Sequence, residues 1–243
     1  MKILDAHCHV GEGMTYSRTA GELLREMDAQ SVSGAVITAA DRFIAVRNRE
    51  GNDLVLTAAA EHPDRLFAFA AANPWYGGEA VEELERAFGL GALGLKLHPV
   101  LQGFTLSDDI VLPLLELAVE QGKPVYVHTG TPISCTPFQL TELAMRYPRG
   151  TFIMGHAAYA DFWNDVVHSV SCVPNIFVET SQHLASVIRT LVEQIGADRV
   201  VYGSDSPLAS MAVEIEKITR YVRRAGDLEL ILGANLRRIL WKE

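Results

Sequence analysis

The chain has 243 residues, 49% hydrophobic and 21% charged, with a formal net charge of -9. That composition supports a globular core, and its acidic balance offers nothing to nucleic-acid phosphates, so nucleic acid is excluded as an expected partner. No apolar run reaches the ~18 residues of a membrane helix, no leader pattern precedes "ILDAHCH", and three scattered cysteines (Cys8, Cys135 and Cys172) make no disulfide framework, so a reducing cytoplasm is the expected location.

In chain order, the first apolar run is "KILDAH" (2–7), continuing into His9. "TAGELLREMDAQ" follows as a helix whose Thr19 and Glu22 form a capping box. "GAVITA" (34–39), "RLFAFAA" (65–71) and "GALGLKL" (91–97) are the next β-branched or apolar runs. "PLLELAVEQG" reads as a helix stopped by Gly122, with Pro124 just beyond. "PVYVHT" (124–129) is followed by "TPFQLTELAMRYP", with Thr136 as N-cap, Pro137 at the first helical position and Gln139 at the third. "TFIMGH" (151–156), "NIFVET" (175–180) and "RVVYGSD" (199–205) complete the runs, and "ILGANLRRIL" is expected to form a closing C-terminal helix. The residues closing the runs (His9, Ala39, Asn73, His98, His128, His156, Ser181 and Asp205), all polar but Ala39, recur every 24 to 34 positions. Strands alternating with helices imply a parallel sheet. Eight such units predict an α/β protein, a single (β/α)8 TIM barrel spanning residues 1–243. An open doubly wound sheet is the alternative, but "HCHVGEG" is not the glycine fingerprint expected after its first strand.

Active sites of such barrels lie at the C-terminal strand ends. Six of the eight histidines fall there: His7, His9, His98, His128, His156 and His183. Side chains alternate with period 2 along a strand. The pattern therefore groups Asp5 with His7 and His9, Lys96 with His98, Tyr126 with His128, Met154 with His156, and Gly203 with Asp205. Closure of the barrel would bring His7, His9, Lys96, His128, His156 and Asp205 to one mouth. Imidazoles plus a carboxylate suit a divalent cation, Zn²⁺ first, with Mn²⁺, Fe²⁺ or Co²⁺ as alternatives. His98, followed by Pro99, is read as structural, Cys8 as packing, and His62 and His168 as solvated or helix-packing residues. Trp75 and Tyr76 are expected to line the pocket. Arg42 and Arg47 read as exposed charges.

"LDAHCH", "EHPDRLFAFAAANP", "GLKLHP", "PVYVHTG", "FIMGHA", "VETS", "VVYGSDSP" and "ILGANLRRIL" stand in an order that resembles the amidohydrolase superfamily, specifically its amidohydrolase-related branch of TIM-barrel metal-dependent hydrolases. The resemblance runs along nearly the whole chain. It implies that His7, His9 and Asp205 bind one metal ion. It also implies that His128 and His156 join that ion or hold a second, or that His156 acts catalytically. In binuclear members a carboxylated lysine bridges the ions, and Lys96 stands at that strand. Asp205, His156 and Lys96 are accordingly the catalytic candidates. Asp205 would move the proton of a metal-activated water, His156 would polarise a carbonyl, and Lys96 as a free amine would pair with a substrate carboxylate.

The leading expectation is hydrolysis of a small amide, ester or lactone. The alternative is non-oxidative decarboxylation or hydration of a small carboxylic acid, because the branch resembles aminocarboxymuconate-semialdehyde and resorcylate decarboxylases. The compact loops favour hydrolysis. A metal-dependent DNase is a weaker alternative, since "GLKLHP" replaces the glutamate stretch of that group. A non-catalytic metabolite binder is the remaining reading. The expected partner is a small-molecule substrate, with no nucleic acid and no membrane, and the apolar content permits a homodimer.

Overall fold

The structure, a computed structural model, describes residues 2–242, apart from the side chains at 160 and 161. Nine strands form one sheet: β1 (Ile3–Glu12), β2 (Ser17–Arg18), β3 (Val32–Ala39), β4 (Leu66–Ala71), β5 (Gly94–Leu97), β6 (Val125–His128), β7 (Phe152–Gly155), β8 (Ile176–Glu179) and β9 (Val200–Val201). Their spatial order is β2-β1-β3-β4-β5-β6-β7-β8-β9, and every pairing is parallel except β1–β2. The antiparallel β2 is an addition to the expected pattern. Its two residues pair with Gly11 and Glu12, and so short a segment leaves no periodicity to read.

The sheet curls. Beyond β9 the chain keeps bonding to β1: Ala6 N–H donates to the Tyr202 carbonyl at 3.0 Å, Asp205 N–H to the His7 carbonyl at 2.8 Å, and His9 N–H to the Ser206 carbonyl at 2.8 Å. The expected last strand, 199–205, is thus regular only over Val200–Val201. The remainder departs from strand geometry at Asp205, whose φ is +56°.

Both sheet faces are apolar, as parallel strands covered on each side require. Leu95, Leu97, Val125, Val127, Phe152, Met154 and Val178 face outward, against Leu84, Leu114, Leu140 and Val166 of the helices. Leu4, Ala6, Val36, Phe67, Phe69, Tyr126, Ile153 and Val201 form the inner cluster. The helix Asn235–Trp241 closes its lower end with Leu236 and Ile239. The helix Ala20–Ala29 carries the expected cap: Glu22 N–H donates to Thr19 Oγ1 at 3.2 Å, and Thr19 N–H returns to Glu22 Oε2 at 2.8 Å. Thr136 N–H likewise meets Gln139 Oε1 at 2.8 Å before the helix Pro137–Arg146. Among the described residues no helix is long and apolar enough to cross a membrane.

Two facing assignments differ from strict alternation. On β1, three steps from Asp5 to Cys8 oppose two on β3, from Ala35 to Ile37. Leu4 and Ala6 face inward before this slip, and Cys8 and Val10 face outward after it. An extra residue reverses the parity of everything beyond it. Asp5 therefore does not share the face of His7 and His9; its Oδ1 accepts from the His7 and Ser204 backbone N–H groups at 3.0 and 2.9 Å. On β7, Met154 packs outward while His156 reaches the interior, because the strand ends at Gly155 and φ turns to +62° at His156.

Gly94 shows how tightly the interior is filled: a Cβ there would lie 2.5 to 2.8 Å from the Phe69 ring. Gly94→Ala is expected to cost about 1–3 kcal/mol by overpacking. Urea titration should show a lower midpoint at unchanged slope, and an unchanged midpoint would refute this account of the interior.

Candidate metal centre

The six residues His7, His9, Lys96, His128, His156 and Asp205 all line one cavity of about 290 Å³. Each comes from the C-terminal end of a different strand, except the His7/His9 pair on β1. His7 Nε2 lies 3.4 Å and His9 Nε2 3.1 Å from Asp205 Oδ1. Ligating atoms of His7, His156 and Asp205 all fall within 4.8 Å of one another. Lys96 Nζ sits 2.9 Å from His7 Nε2 and 3.8 Å above the Tyr126 ring centroid. His128 Nδ1 is 3.1 Å from His156 Nε2. Asp205 Oδ2 accepts a hydrogen bond from Gln182 Nε2.

Local backbone strain aims several of these groups. Residues 156 to 159 all have positive φ: +62°, +43°, +61° and +51°. Non-glycine residues held there cost roughly 1–3 kcal/mol each and persist only where the surroundings fix them. Here the His156 ring stacks on Tyr159 at 4.4 Å and its Nδ1 meets Ser181 Oγ at 2.9 Å.

Electrostatics keeps His7, His128 and His156 neutral. Burial, reinforced by Lys96 and the neighbouring rings, pushes His7 well below the usual histidine range, and burial with the neighbouring cationic groups does the same to His156. Burial lowers His128 to about 3. Lys96 is lowered by burial to about 7, against the pull of Asp205 and Glu179. Neutral imidazoles are the form a cation needs. His9 Nδ1 lies 3.2 Å from the Ala39 carbonyl and 3.0 Å from Thr38 Oγ1, and its Nε2 lies 3.1 Å from Asp205 Oδ1. Buried imidazoles gathered around a carboxylate are a donor set that fits a divalent cation.

Residues outside the predicted set complete the site. Glu179, at the end of β8, is fully buried; burial raises it to about 7, while hydrogen bonds from Tyr126, His156 N–H and Ser181 pull it back down. "VETS" held the only sequence clue: an acidic residue on the inward-facing parity of an apolar strand. His98 does cap the helix Pro99–Gln102, its Nδ1 accepting from Leu101 N–H at 3.3 Å, yet it also lines the cavity and stacks on His128 at 3.7 Å. Trp75 and Tyr76 do not line this cavity. They are exposed, bonding the Gly103 and Val46 carbonyls at 2.9 and 3.2 Å. His183 is buried outside the cavity lining, its Nδ1 accepting from Leu184 N–H. Arg42 bonds the Glu12 carbonyl and Arg47 reaches Glu50, neither in the cavity. His168 is exposed near Phe138.

The profile of the amidohydrolase family matches residues 4–240. A search of curated proteins finds no match. Among solved structures, a 5-carboxyvanillate decarboxylase from Sphingomonas paucimobilis superposes with a TM-score of 0.80 at 17% identity, over 98% of both chains. A dihydroxybenzoic acid decarboxylase from Polaromonas sp. JS666, with bound manganese and 2-nitroresorcinol, gives 0.78 at 16% identity, over 98% of this chain and 96% of that one. A protein described as a candidate 2-pyrone-4,6-dicarboxylic acid hydrolase from Pseudomonas putida gives 0.74 at 19% identity, over 98% and 97%. At such identities the likeness is one of fold.

Removing a ligand should cost more than the roughly 10–100-fold typical of a supporting residue. Metal affinity of the His7→Ala and Asp205→Asn proteins is expected to fall at least about 100-fold, read by titration with Mn²⁺ or Zn²⁺ and by elemental analysis. Stoichiometric metal at unchanged affinity in both variants would remove these residues from the centre.

Proposed function

Because the chain belongs to the amidohydrolase family, we propose that it is a metal-dependent enzyme that decarboxylates a small aromatic carboxylic acid without oxidation. The observation that carries this reading is the cavity itself. Beside the histidines, Lys96 and Asp205 it is lined by Met14, Ile44, Leu101, Leu208, Tyr16 and Tyr159, with Thr15, Asp41 and Gln182 as the other polar residues. About 290 Å³ is at the small end of ligand pockets, which suits a single substituted ring. The apolar walls disfavour a solvated carboxylate and favour release of neutral CO₂. The decarboxylase structures named above act on such acids. They also align over 96–98% of their own length, so the compact-loop argument for hydrolysis no longer separates the two reactions.

The sheet is read here as a closed (β/α)8 barrel, supported by the hydrogen bonds between β1 and residues 202–206. His7, His9, His156 and Asp205 would hold the cation, with His128 and a carboxylated Lys96 available for a second. When bound, the cation supplies Lewis-acid stabilisation of charge on substrate oxygens. With a single ion and Lys96 left uncarboxylated, its ammonium form attracts the anionic acid. Asp205, oriented by Gln182, delivers a proton to the ring carbon that bears the carboxylate. That proton is bonded by a π pair of the ring; the carbon–carbon bond then breaks, its electron pair returns to the ring and restores the aromatic π system, and CO₂ leaves. Solvent restores the proton, so the reaction consumes one proton and needs no oxidant.

Hydrolysis of a small lactone or ester is the second reading. It is favoured by the hydrolase-described neighbour and uses the same acid–base aspartate on a water.

A panel of hydroxylated benzoic acids, assayed for CO₂ release, tests the proposal. Turnover should vanish on chelation, return with Mn²⁺ or Zn²⁺, and fall about 10²–10⁴-fold in Asp205→Asn. Lactone or ester opening with no CO₂ from any acid would transfer the assignment to hydrolysis.

A further inference from the structure

Glu179 makes more contacts than a packing role requires. Its Oε2 accepts from the Tyr126 hydroxyl at 2.6 Å, from the Ser181 hydroxyl at 2.9 Å and from the His156 backbone N–H at 3.0 Å, while Oε1 accepts from the Ser181 backbone N–H. Four donors converge on two oxygens, an arrangement only a carboxylate satisfies.

Each hydroxyl has one proton to give. The Tyr126 hydroxyl directs its proton to Glu179, so toward His7 Nδ1, 2.8 Å away, it can only accept. His7 therefore carries its proton on Nδ1. Ser181 repeats the logic: its proton goes to Glu179, so His156 Nδ1 at 2.9 Å must be the donor. Both neutral rings are left with a bare Nε2. That of His7 faces Lys96 Nζ and Asp205, and that of His156 lies 3.1 Å from His128 Nδ1, while His156 offers a ring nitrogen within 4.8 Å of the ligating atoms of His7 and Asp205.

We propose that Glu179 is a positioning residue that sets the tautomers of His7 and His156 together, acting through Tyr126 on one and Ser181 on the other, so that both present Nε2 to a single cation. The supporting partner of a metal-binding imidazole normally serves one ring; here one carboxylate serves two rings contributed by different strands. The functional consequence rests on the reading of His7 and His156 as ligands, whereas the tautomer assignment does not.

Long-range ¹H–¹⁵N correlation spectra of the metal-free protein test the assignment directly. Wild type should show both rings as Nδ1–H. Tyr126→Phe should release His7 alone, Ser181→Ala should release His156 alone, and Glu179→Ala should release both, because both hydroxyls then lose their acceptor. Mn²⁺ affinity in Glu179→Ala should drop about 10–100-fold. Adding Tyr126→Phe to Glu179→Ala should then cost less affinity than it does in wild type. An Nε2–H tautomer for either ring in wild type, or two unchanged rings in Glu179→Ala, overturns the proposal. If Glu179→Ala fails to fold, the separate effects of the two hydroxyl variants decide it. Correct tautomers in a wild-type protein that binds no metal would reject the ligand reading and leave the positioning role standing.

Discussion

His7 and Asp205 are 198 positions apart, yet the Asp205 amide donates to the His7 carbonyl at 2.8 Å while their side chains meet at 3.4 Å. This contact joins the first strand to the segment after the last, and the site depends on it. The backbone bond fixes the register of the two chain segments. The side chains then have no freedom to separate without breaking the seam of the sheet. Imidazoles contributed by β1 can share a space with one that follows β7 only because curling brings the two ends of the sheet together.

The site is assembled where regular strand geometry fails. The register slip on β1 turns His7 inward after Leu4 and Ala6 have already faced that way. The positive φ of His156 brings inward a side chain that alternation would send out beside Met154, and Asp205 also sits at positive φ. Such departures are costly for non-glycine residues, and they cluster at functional positions because only a surrounding network can hold them. The network here is dense: Tyr126, Ser181, Thr38 and Gln182 each bond a side chain of the histidine–aspartate set, and Glu179 accepts from the His156 backbone N–H.

Much of this was legible in the chain. β-branched runs at regular intervals gave the strands, because residues buried on both sheet faces must be apolar throughout. Histidines gathered at the ends of those runs marked the site, since the repeat register places the strand ends on one rim. The capping residues Thr19 and Thr136 marked helix starts through purely local hydrogen bonding. Trp75 and Tyr76 misled, because an aromatic after a strand can turn to solvent as easily as into a cavity. Glu179 and Tyr126 gained no role from the pattern, because a supporting residue is defined by what it touches across strands and not by its neighbours in sequence.

The sequence by itself determined the alternating strand–helix order, the helix caps and the identity of the candidate ligating side chains, all of which follow from local preference and short-range periodicity. Tertiary structure alone decided which side of β1 His7 occupies, how His156 enters the interior, and how one buried carboxylate comes to hold two imidazoles. Those outcomes depend on register slips, backbone strain and contacts between distant strands. Such features arise only when the sheet has curled and each polar group must find its partner away from water.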